Sequence, residues 1–319
     1  MPGGESDQTV FGGNAVTSKH PKNIAASIRQ RLLNMAKTEQ RSFEELARLY
    51  AMERFLYRLS RSQHSTKFIL KGALMLRVWY ADFGRPTMDI DMLGRTTNNA
   101  TILESMVRDI LNVVVEDDGL SFDPVSVQSE IITKEAEYVG VRIIFNGHME
   151  TMRLHLQVDI GFGDTVYPSP KQVRIPTLLK HPAPVLLGYT MESIIAEKFH
   201  AMIELGELNS RMKDFHDIWL LAQQCDFNAN ILGSAIEKTF AARRKIIPER
   251  ITAFGNSFIE TKQTQWQAFR RKNRLTGLPE QFADVVVVIE RFLEPIAKSI
   301  RERHMIKGAW KAGGSWKRS

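Results

Sequence analysis

Apolar residues recur every three or four positions from Asn23 to Lys37, at Ile24, Ile28, Leu32 and Met35. That is the spacing of a helix with one buried face. A second stripe, Leu46, Leu49, Tyr50, Phe55 and Leu56, follows Ser42-Phe43-Glu44-Glu45. A Glu three residues after a Ser predicts a capping box, and the aromatics of the stripe read as core. Arg61 to Lys67 is a polar linker, after which the pattern changes. Phe68 to Leu70 predicts a buried strand, Lys71-Gly72-Ala73 a turn, Leu74 to Tyr80 a helix, and Arg85-Pro86-Thr87 its stop. Met88-Asp89-Ile90-Asp91-Met92 then alternates strictly. On a strand this puts Asp89 and Asp91 on one face and Met88, Ile90 and Met92 on the other.

Further on, Ile102 to Val114 has helical spacing, and Asp117-Asp118-Gly119 marks a turn. Val125 to Ile132 and Tyr138 to Phe145 are rich in β-branched and aromatic residues and predict strands. Asn146-Gly147 is the strongest hairpin signal in the chain. Met152 to Ile160 alternates after it, with Leu154, Leu156, Val158 and Ile160 opposite His155, Gln157 and Asp159. Antiparallel pairing of this strand is expected to bring Asp159 beside Asp89 and Asp91. Residues 165–189 hold five of the twelve prolines and read as an extended connector and domain boundary. Beyond them, Met191 to Leu205, Ser210 to Ala222, Ile231 to Arg243 and Phe282 to Ile300 are amphipathic helices. The expected organisation is a flexible tail (1–22), N-terminal helices (23–67), a core of strands and helices (68–184), a helical domain (185–305) and a mobile basic tail (306–319).

Composition narrows the partners. The 319 residues are 43% hydrophobic, enough for real cores, and 43 Lys and Arg against 36 Asp and Glu give a pI near 9.4. This basic excess permits nucleic-acid binding without requiring it. A single cysteine, Cys225, excludes an intramolecular disulfide framework and fits a reducing cytoplasm. No apolar run reaches the ~20 residues of a membrane span, and the N-terminus lacks the pattern of a secretory signal.

The chemistry concentrates in the acidic strand. Two carboxylates side by side repel, so a cation between them is favoured, and hard oxygen ligands suit Mg2+. The alternative for a lone Asp-x-Asp is a solvated strand face. Here the pair follows a strand, a Gly turn and a helix, the arrangement by which nucleotidyltransferases hold a nucleoside triphosphate and its metals.

Five segments in order carry a more specific likeness: FILKGALML, RPTMDIDMLG, LQVDIGFGD, AEKFHAMIELG and NSRMKDFHDIWLL. The stretch from about residue 23 to 305 resembles the AbiEii/AbiGii toxin family of nucleotidyltransferases, which includes the mycobacterial MenT toxins. The resemblance implies an α+β fold, with a polymerase-β-like nucleotidyltransferase core of mixed sheet and helices and a helical C-terminal domain. It implies the toxin half of a toxin–antitoxin pair, with a separate antitoxin protein as partner. It also implies a nucleoside triphosphate (NTP) substrate, and RNA, in some members tRNA, as acceptor. Carried onto this chain, Asp89, Asp91 and Asp159 are the expected ligands of Mg2+ or Mn2+, and Gly72 and Ala73 form the phosphate-binding turn. Lys71, Arg85 and Lys198 are expected to bind the triphosphate, and Asp214 to orient Lys198 or the acceptor. At Ala73 the family usually has Gly or Ser, so a hydroxyl contact to phosphate is lost. A protein hydroxyl or small molecule as acceptor, or a silent nucleotide-binding module, are the competing readings. The basic runs Arg243-Arg244-Lys245 and Arg270-Arg271-Lys272, with Lys317 and Arg318, favour RNA.

Overall fold

In the computed structural model the structure describes residues 23–80, 86–134, 138–275, 277–304 and 307–317. The expected tail 1–22, Arg85 and Arg318 lie outside the described residues. Two helices open the fold, α1 (Ile24–Thr38) and α2 (Phe43–Arg61). Asn23 caps α1 by accepting from the Ala26 N–H. Ser42 stands at the N-cap of α2, but its hydroxyl makes no capping hydrogen bond, so the expected capping box does not form. The middle of the chain supplies β1 (Phe68–Lys71), α3 (Ala73–Trp79), β2 (Ile90–Gly94), α4 (Ala100–Leu111), β3 (Ser121–Lys134), β4 (Tyr138–Met149), β5 (Met152–Gly161), β6 (Lys171–Arg174) and β7 (Val185–Gly188). Then come α5 (Met191–Leu205), α6 (Met212–Gln224), β8 (Phe227–Asn228), α7 (Ala229–Ala242), α8 (Asn256–Asn273), α9 (Phe282–Arg301), β9 (Ala309–Trp310) and β10 (Trp316–Lys317).

Strands β1 to β7 form a mixed sheet in the order β3-β4-β5-β2-β1-β7-β6. β3, β4 and β5 make an antiparallel meander. β5 then lies parallel to β2, and β7 parallel to β1. The parallel pair β2/β5 replaces the expected antiparallel one. The Asn146-Gly147 hairpin is also overturned. Both residues lie inside β4, opposite His155 and Leu154, and the chain reverses at Glu150, which takes φ 52°. Gly147 is explained by packing: a Cβ there would come within 3.0 Å of the Phe122 ring.

One face of the sheet is covered by α2 and α4, whose buried residues, among them Phe55, Leu56, Leu103 and Val107, meet Phe145, Leu154 and Leu156 in a continuous core. α2 is tied down further by a buried ion cluster: Arg54 and Arg58 donate to Asp118 at 3.0 and 2.7 Å. The boundary expected after residue 184 is displaced, because β7 pairs with β1 and carries the sheet to Gly188. The following region is helical. The mobile basic tail is corrected as well. β9 and β10 form a hairpin beside β8, Trp310 is buried, and its ring lies 4.9 Å from that of Phe292 on α9. The tail's tryptophans, more than its lysines, decide its place. No described helix is long and apolar enough to cross a membrane.

Candidate active site

The register of five strands lays a row of charged side chains straight across the sheet. Lys71 on β1 is opposite Asp91 on β2. Asp91 is opposite Asp159 on β5, Asp159 opposite Arg142 on β4, and Arg142 opposite Glu130 on β3. Partners in register on a sheet share a face, so the row reads plus, minus, minus, plus, minus. Its one like-charged neighbour pair is Asp91 and Asp159. Asp89, in the bend just before β2, adds a third carboxylate, with the Thr87 hydroxyl donating to its Oδ1 at 2.9 Å. One oxygen from each of Asp89, Asp91 and Asp159 lies within 4.8 Å of the others. Three hard anionic donors so close repel unless a cation joins them, and the set fits Mg2+ or Mn2+.

Gly72 makes room for this cluster. It takes φ 73° and ψ −153°, and a Cβ on it would stand 2.3 Å from Asp91 Oδ2. Only glycine combines that backbone with that clearance. Ala73 is buried and does not line the cavity, so the Gly72-Ala73 turn offers it no side-chain donor. The helix behind it, α3, has seven residues, so its macrodipole adds little at the turn.

Two further charged clusters complete the walls of a cavity of about 410 Å3, a size suited to a small-molecule ligand. In the first, Lys71 Nζ lies 2.7 Å from Asp164 Oδ2 and 3.1 Å from Glu197 Oε2. Burial works against the ammonium charge, but Glu197 and Asp164 outweigh it and hold the Lys71 pKa above its ordinary value. Arg243 reaches the other oxygen of Asp164 at 2.9 Å and donates to His200 Nδ1 at 3.1 Å. Burial alone would raise the Asp164 carboxyl; Lys71 and Arg243 prevail and keep it well below the usual range. Burial, then Asp164, raises the pKa of Glu197. Burial and the Arg243 charge push the His200 pKa down to about 4, so His200 is a neutral acceptor.

The second cluster lies between α5 and α6. Lys198 Nζ sits 2.6 Å from Asp214 Oδ1 and 2.8 Å from Asp217 Oδ2, both carboxylates being fully buried. His216 Nδ1 is 2.8 Å from the other oxygen of Asp217, and Arg211 pairs with Asp214 at 2.6 Å. Burial opposes the charge on Asp214, while Lys198 and Arg211 lower its pKa.

Of the residues singled out in the sequence, Lys71, Gly72, Asp89, Asp91, Asp159, Lys198 and Asp214 line this one cavity; Ala73 does not, and Arg85 lies outside the described residues. Sequence reasoning missed Arg142, Asp164, Glu197 and Arg243 as lining residues. Asp164 and Glu197 adjoin recognised segments, the turn after β5 and Lys198. Arg243 was expected in an exposed basic run and is instead buried. Arg142 carried a signal too: it is the charged residue in the apolar alternation of β4.

The sequence profile described as nucleotidyl transferase AbiEii toxin, type IV toxin–antitoxin system, matches residues 54–288. No curated protein matches the chain. Among solved structures, one described as a candidate nucleotidyltransferase from H. pylori is similar at 14% identity. It covers 82% of this chain and 99% of its own, with a TM-score of 0.46. JHP933 from Helicobacter pylori is similar at 15% identity over 82% of this chain and 95% of its own, with a TM-score of 0.47.

Proposed function

From the premise that the chain belongs to the AbiEii family of nucleotidyl transferase toxins, and so is a nucleotidyltransferase, we propose that it moves a nucleotide from an NTP to an RNA acceptor, foremost tRNA, with release of pyrophosphate. The observation that carries this reading is the union, in one cavity, of a three-carboxylate cluster with two clusters that each hold a lysine and an arginine among carboxylates. A divalent ion held there, Mg2+ or Mn2+, would supply charge neutralisation on the triphosphate and a lowered pKa at the attacking hydroxyl. Asp89, Asp91 and Asp159 are the residues that would hold it. Gly72 lets the backbone come close to phosphate. Lys71 and Lys198, each paired with carboxylates, would meet phosphate oxygens as point charges. Asp214 and Asp217 fix Lys198 from two sides, so the lysine is oriented before substrate arrives.

The acceptor reading rests on basic side chains outside the cavity. Arg244, Arg271 and Lys272 are exposed, whereas Arg243 belongs to the cavity wall. The setting we propose is the cytoplasm, with a separately encoded antitoxin protein opposing the activity. The test is to incubate the protein and each α-labelled NTP with total RNA, then with total protein. Label in RNA, with an acceptor KM that rises steeply with salt at a log–log slope of about 0.7 per phosphate contact, is the expected result. Label in protein, or an acceptor KM indifferent to salt, would overturn the RNA reading.

A further inference from the structure

Arg142 has no part in the scheme above, yet it touches the cluster on which the scheme depends. Its Nε donates to Asp159 Oδ1 at 2.8 Å and its Nη2 to Asp159 Oδ2 at 3.1 Å. Gln157 donates to the same Oδ1 at 3.0 Å. The remaining end of the guanidinium, Nη1, donates to Glu130 at 3.0 Å. A planar fork on both oxygens of a carboxylate fixes its plane as well as its position. Asp89, by contrast, is held by a hydroxyl that can rotate. The three carboxylates are therefore unequal: Asp159 is buried, oriented by a guanidinium and partly neutralised by it.

This inequality has two consequences that pull in opposite directions. The positive charge of Arg142 beside the cluster weakens its attraction for a divalent cation. The two-point hold keeps Asp159 in the orientation in which the cluster works, which favours turnover. A residue that only balanced a buried charge would do the first and not the second.

We propose that Arg142 is a positioning residue for nucleotidyl transfer: it orients Asp159 by a two-point hold and keeps the divalent-cation affinity of the substrate-free cluster low. Cation binding is thereby coupled to arrival of the triphosphate, whose own charge makes up the deficit. Glu130, on the outer side of Arg142, tempers that charge. The inference rests on the proposed transfer reaction, but its first test does not need turnover.

That test is binding of Mn2+ to the full chain without nucleotide, measured by electron paramagnetic resonance or calorimetry, for wild type, Arg142→Gln, Arg142→Lys and Glu130→Gln. Arg142→Gln is expected to bind Mn2+ about tenfold more tightly, from the loss of one unit charge near the cluster. Glu130→Gln should bind it more weakly. Arg142→Lys keeps the charge but not the fork, so its Mn2+ affinity should stay near wild type while kcat falls on the order of tenfold or more, with the NTP KM little changed. In an Asp159→Asn background the kcat effect of Arg142→Lys should vanish. Unchanged or weaker Mn2+ binding in Arg142→Gln overturns the inference, as does an Arg142→Lys variant with wild-type kcat. If Arg142→Gln does not fold, the Glu130→Gln and Arg142→Lys results decide. A wild-type protein that transfers no nucleotide would defeat the transfer reading, and the Mn2+ measurements would still judge the charge argument.

Discussion

Replacing Gly72 with alanine exchanges one hydrogen for a methyl group, and the structure says where the new carbon must go. The new Cβ would lie 2.3 Å from Asp91 Oδ2, 2.8 Å from Asp91 Cβ and 2.9 Å from Asp91 Cγ. An ordinary contact is about 3.4 Å, so the carboxylate has to retreat by roughly 1 Å. A rotamer change of Asp91 cannot achieve this, because its Cβ is in the way as well and moves only with β2. Backbone strain adds to the clash. At φ 73° and ψ −153° Gly72 occupies a region that side chains avoid, at a cost of about 1–3 kcal/mol. A shift of ~1 Å in a reacting group typically costs on the order of 10²-fold in rate. Gly72→Ala is therefore expected to cut nucleotide transfer about a hundredfold while the protein still folds with a lowered Tm. Gly206→Ala is the control: it has φ 46°, yet nothing lies within 4 Å of its Cβ position. That variant should show a comparable loss of Tm and near-normal transfer. Transfer assays with labelled NTP, alongside thermal melts, separate the two. A folded Gly72→Ala protein working within about threefold of wild type would refute the crowding argument, and equal loss in Gly206→Ala would assign the effect to general destabilisation.

Asp91→Asn removes a like charge from the cluster, so it should abolish transfer and Mn2+ binding with Tm unchanged or higher. Lys198→Met should abolish transfer as well, but with a lowered Tm, equivalent to ~3 kcal/mol, because Asp214 and Asp217 stay buried without the ammonium they share; equal melting of the two variants would contradict the assignment. Glu53, pushed up to about 7 by burial, binds its proton more readily in the folded chain than in the unfolded one. Wild-type stability should thus fall by about 3 kcal/mol as pH rises from 4.5 through 7, and Glu53→Gln should melt higher at pH 8 but not at pH 4, as denaturant titrations at both values would show. Trp310→Ala should cost ~3–5 kcal/mol in chemical denaturation, since its ring is buried against Phe292 and Trp316; a mobile tail would lose nothing.

Strict alternation made the faces of β2 and β5 legible, because a period of two leaves no choice of which residues travel together. It left open which strand would lie beside which, and with what direction. Asp91 meets Asp159 through a parallel pairing, and direction is a property of topology rather than of either segment. Arg142 was hidden for the same reason: a cross-strand partner is named by register alone. Local signals misled where packing outweighed them. Gly147 sits in a strand because a ring lies over it, and Ser42 caps nothing although its spacing to Glu45 is right. Charge runs were the least informative. Arg243, Arg244 and Lys245 are consecutive, yet the first is sealed into the cavity while the second faces solvent. The helical segments after residue 190 were plain from their apolar stripes, and Lys198 and Asp214 face each other because α5 and α6 pack side by side.

Asp164 ties together residues far apart in the chain: Lys71 comes to it from β1 and Arg243 from the end of α7. A ribosome delivers these groups in order. While the sheet is emerging, Lys71 and Asp164 can meet, but the wall supplied by Glu197, Lys198, Asp214 and Arg243 does not yet exist. A chain that ends before Glu197 would therefore lack one side of the cavity. For a protein of a toxin family, this arrangement predicts that translation products interrupted before residue 197 lack a complete cavity.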